Sequence, residues 1–501
     1  GTATKAGDAA EARGLRSVFE PANEGADAWC ALGSVKSQIG HTKAAAGSAG
    51  LIKIALALHH KILPPTLKVS KPNAQLGLDA GPLYINTEAR PWIRGSDHPR
   101  RASVSSFGFG GSNFHVTVEE YTGPGSRPER LRAWGDELVV LSGGSPDELK
   151  SELDGLIQEI DAGQPLARLA AESAATFEAG APARVALVAS DLDELKAKAE
   201  KAIAALAGGT TDKVLDADVS FGTGPVELGK LAFVFPGQGS QYVGMGAGAA
   251  MTFEEARSVW DAAADLEAFA GDRLDRAVFP PPAFDDEELA AQKQRVTAMH
   301  TAQPAIAAVS LGYLHLLRKL GVEADAVAGH SFGELSALAA AGTLAEADLL
   351  SIARKRGELM AEAAASRDGA MVAVLSDAGT LSGLIDENSG VVIANDNAPT
   401  EVVLAGSVEA IDSMVEKLDG QGLRSVRLPV ASAFHSHIVS DSCEPFHDYL
   451  GSVGWSKPSV DVFANTSASK YPTTAKAGRR QLADQLASPV RFREMVDAMY
   501  D

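Results

Sequence analysis

The chain reads as an α/β protein, and three stretches carry that reading. Across its 501 residues, apolar runs of strand length alternate with helical patterns. The run "KLAFVFPGQGSQ" (230–241) ends in a glycine-rich loop, and "AVAGHSFGELSALAAAG" (326–342) passes from a strand through a glycine-flanked serine into a compact helix. From 369 to 430 the order is strand, helix, strand, strand, helix, strand.

Composition narrows the function classes. Hydrophobic residues make up 45% and charged residues 22%, ordinary values for a globular protein with two or three cores. No apolar run reaches membrane-spanning length and no basic-then-apolar leader opens the chain, so a cytoplasmic location is expected. A formal net charge of −20 speaks against nucleic acid or an anionic membrane as partner. Any acidic ligand must then meet a local basic group, and Arg354 to Arg356, Arg424 with Arg427, Arg479 with Arg480 and Arg491 with Arg493 are the clusters available. The two cysteines, Cys30 and Cys443, lie too far apart in sequence to suggest a disulfide framework or a zinc cluster.

In chain order, residues 1–121 hold short strands and glycine-rich turns, including two β-rich runs flanking Gly108 to Gly111. "TGPGSRPER" (122–130) is a linker by composition. From Glu137 to about Gly229 a small α/β layer is expected, with a helix carrying Leu149, Leu153, Leu156 and Ile160. A second helix there is capped by Asp191, with Glu194 three residues on. Beyond Lys230, "AQPAIAAVSLGYLHLLRKL" places Ile306, Val309, Tyr313, Leu316, Leu317 and Leu320 on one face. The string at 369–430 is a ferredoxin-like arrangement set inside a larger α/β domain.

Small residues on both sides of Ser331 allow a sharp strand-to-helix turn that lifts its hydroxyl above the sheet edge. The pattern alone leaves a nucleophile and a plain tight turn both open. A serine nucleophile needs a base, and the best placed is His435 in "LPVASAFHSHIVSDS", with His437 second. As a metal pair, His435 and His437 lack evident further ligands. Acyl transfer also needs oxyanion donors, for which the Phe332 N–H and an N–H at Gln238 are the expected sources.

Several motifs agree in order with one family. "FVFPGQGSQYVGMG", "TAQPAI", "GHSFGELSALAAAG", "RKRGELM", "NAPTEVVLAG", "ASAFHSH" and "SPVRF" make the stretch 230–501 resemble malonyl-CoA:acyl-carrier-protein transacylases, including the acyltransferase domains of polyketide and polyunsaturated fatty acid synthases. The resemblance implies an α/β-hydrolase-like large subdomain with the ferredoxin-like subdomain inserted at about 369–430. It implies Ser331 as nucleophile, His435 as base, and Gln238 and Phe332 as the oxyanion hole. Arg356 would hold the malonyl carboxylate, Gln303 and Phe434 would line the acyl pocket, and backbone carbonyls near "SPVRF" would orient the histidine in place of a carboxylate. Phe434 matches the malonyl-selecting form of its motif, while Ser432 stands where such domains usually carry histidine.

Residues 1–121 resemble the C-terminal end of a thiolase-like β-ketoacyl synthase. "GSVKSQIGHTKAAAG" carries its lysine and second histidine, Lys36 and His41, and "SSFGFGGSNFH" its glycine-rich gate. "GTATKAGDAAE" matches the segment just after the first catalytic histidine, and the stretch around the active cysteine has no counterpart, so condensation by this segment alone is not expected. Residues 122–229 sit where such synthases carry a ketosynthase–acyltransferase linker domain. Opening at Gly1 and stopping at "MVDAMYD", short of a usual "GP"-containing strand, the chain is expected to be part of a longer synthase, most similar to the first subunit of a polyunsaturated fatty acid synthase. The implied partners are acyl carrier protein domains, malonyl-CoA and the remaining ketosynthase. Phosphopantetheine would arrive on the carrier, and no bound cofactor or metal is implied. Two rivals stay open: a non-catalytic carrier-docking fragment, and a thioester hydrolase using the same Ser/His pair.

Overall fold

The computed structural model describes residues 5–22, 28–78, 81–108, 111–125, 135–208, 212–224, 229–386, 388–430 and 432–501. The chain divides into two compact units, Glu129–Gly229 and the combination of Gly1–Pro128 with Lys230–Asp501.

The unit Glu129–Gly229 is an antiparallel sheet with strand order Glu137–Gly143, Ala183–Ala189, Val219–Thr223, Asp212–Asp216. Leu149, Leu153, Leu156 and Ile160 are buried, as their helical spacing predicts. Asp191 caps its helix by accepting the Glu194 N–H at 2.8 Å, while Glu194 reaches back to the Ser190 N–H at 2.8 Å, one position earlier than a standard capping box. The helix Leu166–Thr176 and the last two strands are additions to the sequence reading.

In the other unit, the first segment packs the helix Ala46–His60 on the strand of a hairpin, Arg101–Phe107 with Asn113–Glu119. The turn residues Phe109 and Gly110, the opening residues 1–4 and most of the expected linker (126–130) lie outside the described residues. Arg100 fastens this segment to the helix Glu254–Ala263: its buried guanidinium donates to both oxygens of Asp261 at 2.7 and 2.8 Å and to Glu120 at 2.9 Å. A helix as apolar as Ala46–His60 would ordinarily be buried all round, yet Ile52 and Leu56 are exposed, as are Phe107 and Phe114 of the hairpin.

The larger body is built on the parallel strands Ala232–Phe235, Ala326–Gly329 and Asp461–Ala464, with Ser469–Lys470 added antiparallel. Beside them the helices Met299–Lys319 and Glu346–Ser366 pack closely. The apolar stripe expected on the first of these is not its deepest face, since Tyr313 and Leu320 are exposed. Ile306 of that stripe is buried as expected, together with the alanines, Leu311 and Leu314. Small residues set this arrangement, because a Cβ on Gly312 would lie 3.2 Å from Ala256 Cα, and one on Gly357 only 2.4 Å from Met299 O.

Inserted after Ser366 is a four-stranded antiparallel sheet of order Val392–Ala398, Glu401–Gly406, Ala370–Val374, Ser425–Arg427, with two helices between its strands. This is the ferredoxin-like order, 2-3-1-4. Its edge strand meets the segment after the last 3-10 turn, where Val490 N–H donates to Ala394 O at 2.8 Å and Asp396 N–H to Val490 O at 2.9 Å. Among the described residues no helix is long and apolar enough to cross a membrane.

Candidate active site

The strand Ala326–Gly329 ends in a turn that only small residues tolerate. A Cβ on Gly329 would lie 1.9 Å from the Gly333 carbonyl carbon, and one on Gly333 would lie 2.2 Å from Phe235 O. Between them Ser331 adopts φ +49°, the left-handed region that non-glycine residues rarely occupy. The turn brings Ser331 Oγ within 2.7 Å of His435 Nε2, to which it donates. His435, also left-handed at φ +57°, directs Nδ1–H to two carbonyls, Gln485 O at 3.1 Å and Ser488 O at 3.0 Å. Both carbonyls accept only, so the proton sits on Nδ1 and the Nε2 lone pair faces the serine. Burial, the Arg356 cation and His330 together pull the imidazole down to about 3, which keeps it neutral and able to accept a proton.

His330 points elsewhere, its Nε2 paired with Asn397 Oδ1 at 2.8 Å. His437 is exposed while His435 is buried, so the two do not form a ligand pair. The glycine-rich loop after Phe235 lies directly against the turn, since a Cβ on Gly237 would meet His330 O at 2.5 Å. Among the described residues, neither the Gln238 nor the Phe332 N–H donates to a protein acceptor.

Arg356 is fully buried. Its Nη1 donates to Gln303 Oε1 and its Nη2 to Gln485 Oε1, each at 3.0 Å, and its Nε has no partner among the described residues. The guanidinium also lies 5.8 Å from the Phe332 ring centroid. Burial pulls it down to about 10, so it stays charged at neutral pH. Gln303 in turn donates to Gln238 Oε1 at 3.2 Å and to Met360 Sδ at 3.5 Å. Phe434 is buried next to His435 in sequence, and the buried Ser432 hydroxyl is without a partner among the described residues. The other basic clusters are largely tied up locally: Arg354 pairs with Asp272 and Glu358, Arg427 with Asp412, Arg480 with Glu444 and Asp484, Arg491 with Glu494, and Arg493 with Asp396.

Four residues that the sequence reading did not single out complete the cluster. Gln485 holds the Arg356 guanidinium through Oε1, the Ser331 carbonyl through Nε2 at 2.7 Å, and His435 through its own carbonyl. Asn465, Glu334 and Tyr471 form a buried chain behind the serine. Glu334 did carry a signal, being the one charged residue in the apolar helix Gly333–Ala340. Among the described residues Lys36 and His41 make no hydrogen bond or ion pair to this cluster; His41 is exposed and accepts the Lys43 N–H at 3.0 Å. An apolar groove of about 390 Å³, lined by Phe233, Tyr242, Val309, Tyr313 and Leu317, contains none of these polar groups.

Residues 232–501 match the acyl transferase domain family. Residues 1–70 match the β-ketoacyl synthase C-terminal domain, and 72–188 the ketoacyl-synthetase C-terminal extension. Polyketide synthase GfsA of Streptomyces halstedii is 36% identical over 93% of this chain and 6% of its own length. One polyunsaturated fatty acid synthase subunit, from Thraustochytrium sp., is 33% identical over 100% of this chain and 19% of its own length. The chain therefore spans less than a fifth of these relatives. Among solved structures, the acyltransferase domain of an iterative polyketide synthase of enediyne biosynthesis matches at TM-score 0.56 and 27% identity, over 72% of this chain and 83% of that one. The acyltransferase domain of SpnD matches at TM-score 0.60 and 25% identity, over 73% and 82%.

Proposed function

Because the chain belongs to the acyl transferase domain family, preceded by ketosynthase C-terminal and extension segments, we propose that it moves a malonyl group from malonyl-CoA to the phosphopantetheine thiol of an acyl carrier protein. The observation that carries this reading is the burial of a guanidinium, Arg356, in the same hydrogen-bonded cluster as the Ser331–His435 pair. A planar fork on a charged group suits a carboxylate, which is what distinguishes malonyl from acetyl.

The steps follow from the groups present. His435 Nε2 takes the Ser331 proton as Oγ attacks the thioester carbon, and the N–H groups of Gln238 and Phe332 receive the developing oxyanion. The carbon–sulfur bond breaks, and the imidazolium returns its proton to the CoA thiolate. In the second half the carrier thiol gives its proton to His435 and attacks the seryl ester; the carbon–Oγ bond breaks, His435 returns the proton to Ser331 Oγ, and the malonyl group leaves on the carrier sulfur. Gln303 and Phe434 line the acyl pocket in this scheme, and no step draws on a metal or redox group. Lys36 and His41 take no part.

The partners are a carrier domain and the rest of a longer synthase. The exposed Ile52, Leu56, Phe107 and Phe114 support seating the first segment against the remaining ketosynthase. The test is CoA release from malonyl-CoA with and without a phosphopantetheinylated carrier. Transfer predicts steady release only with carrier and label found on its thiol. Carrier-independent release with free malonate as product would make the chain a hydrolase.

A further inference from the structure

The mechanism above makes no use of Glu334, a fully buried carboxylate three residues beyond Ser331. Its Oε1 accepts the Asn465 backbone N–H at 2.7 Å, and its Oε2 accepts the Tyr471 hydroxyl. Asn465 then grips the strained turn from two sides: Oδ1 accepts the Ser331 N–H at 2.6 Å, and Nδ2 donates to Gly329 O at 2.8 Å. The links bridge 131, 137, 134 and 136 residues of sequence, so a distant strand end holds the turn in addition to its local bonds from Gly333 N–H to His330 O and Glu334 N–H to Ser331 O.

We propose that Glu334, anchored by Tyr471, is a positioning residue that fixes Asn465 and through it holds Ser331 in the left-handed conformation that keeps its hydroxyl on His435. The demand is specific to a carboxylate. Donors converge on both oxygens of Glu334, the Asn465 N–H on Oε1 and the Tyr471 hydroxyl on Oε2, and a carboxylate offers two acceptors and no donor. Glutamine has the same shape but turns an NH₂ toward one of those donors.

The charge state of Glu334 gives the proposal a second handle. Burial pushes its carboxyl up to about 7, opposed by the bonds from Tyr471, Asn465 and Gln485 and by the Arg356 cation. Tyr471 itself is raised well above its ordinary value and stays neutral. Protonation of Glu334 removes one acceptor from the pair, so the turn loosens as pH falls through neutrality. The neutral His435 does not contribute a limb in that range.

The test follows the Ser331 reaction in the full chain and its Glu334→Gln, Tyr471→Phe and Asn465→Ala variants. Two probes are used: malonyl-CoA under single-turnover conditions, and an organophosphonate that labels reactive serines whatever their natural substrate. If malonyl-CoA alone fails, the proposed substrate is wrong and the organophosphonate still reads the turn. The expected result is a labelling rate about 10- to 100-fold lower in Glu334→Gln, with half-saturation by malonyl-CoA little changed. In that variant the wild-type rise in rate through pH 7 also disappears. Tyr471→Phe keeps the carboxylate but removes one donor, so its rise moves to higher pH. This second variant carries the test if Glu334→Gln does not fold. A wild-type rate in Glu334→Gln, a retained neutral limb in that variant, or an unmoved profile in Tyr471→Phe would each overturn the proposal.

Discussion

Replacing Arg356 by alanine tests the proposed recognition of the acyl carboxylate apart from the chemistry. In isolation a buried guanidinium would penalise acetyl heavily, but here two arms already donate to Gln303 Oε1 and Gln485 Oε1 at 3.0 Å each. An incoming carboxylate therefore exchanges neutral amide oxygens for charged ones. Those bonds already have an ionised donor, so a carboxylate moves each from the lower to the upper part of the range of about 1.5–3 kcal/mol for charge-assisted bonds, and the net gain over two arms is about 2–3 kcal/mol. That corresponds to about 30- to 150-fold in selectivity. The assay compares kcat/KM for malonyl-CoA and acetyl-CoA, each with a carrier protein, in wild type and Arg356→Ala. The malonyl-to-acetyl ratio should fall by that factor. Equal losses for both substrates would refute the carboxylate role and leave Arg356 as a structural support of Gln485. The same substitution removes a cation that depresses both His435 and Glu334, so both steps of the pH–rate profile, the His435 step from its wild-type place near 3 and the Glu334 rise from near 7, should move to higher pH.

Three further outcomes test the framework around the site. Gly329→Ala forces a Cβ to 1.9 Å from the Gly333 carbonyl carbon, and should destabilise the larger unit by about 3 kcal/mol or more in urea titration while abolishing serine labelling; wild-type stability would contradict the turn geometry. Arg100→Ala removes a buried cation beside Asp261 and Glu120, which keep Arg257 and the Arg94 N–H, and Lys61 and Arg94, respectively, and should cost about 1–2 kcal/mol with no change in Ser331 reactivity, read by denaturant titration and labelling. Glu334 lies above its ordinary 4.5 in the folded chain, so folding takes up a proton between about 4.5 and 7 and stability declines as pH rises through that window. Glu334→Gln should flatten this slope, and an unchanged slope would assign it to other groups.

The residues legible in sequence are those whose chemistry is written in a contiguous run. Ser331 with its flanking glycines, His435 beside Phe434, and Gln303 and Arg356 on two packed helices all converge where their motifs suggest. The ferredoxin-like insert was legible for the same reason, its alternation of strands and helices being local. What stayed hidden depends on pairings across more than a hundred residues. Gln485, Asn465 and Tyr471 sit in unremarkable polar segments, and nothing in their spacing reveals that they meet behind Ser331. The helix Met299–Lys319 misled for another reason. Large apolar residues mark a core face only when helices pack at ordinary distance, and here Gly312 and the alanines permit closer approach, leaving Tyr313 and Leu320 outside.

The most direct measurement is intact-protein mass spectrometry after brief incubation with malonyl-CoA, beside the Ser331→Ala variant. The account predicts one malonyl adduct on the wild-type chain, mapped to Ser331, and none on the variant. An adduct that persists in Ser331→Ala, or no adduct and no CoA release from a folded wild-type chain, would contradict it.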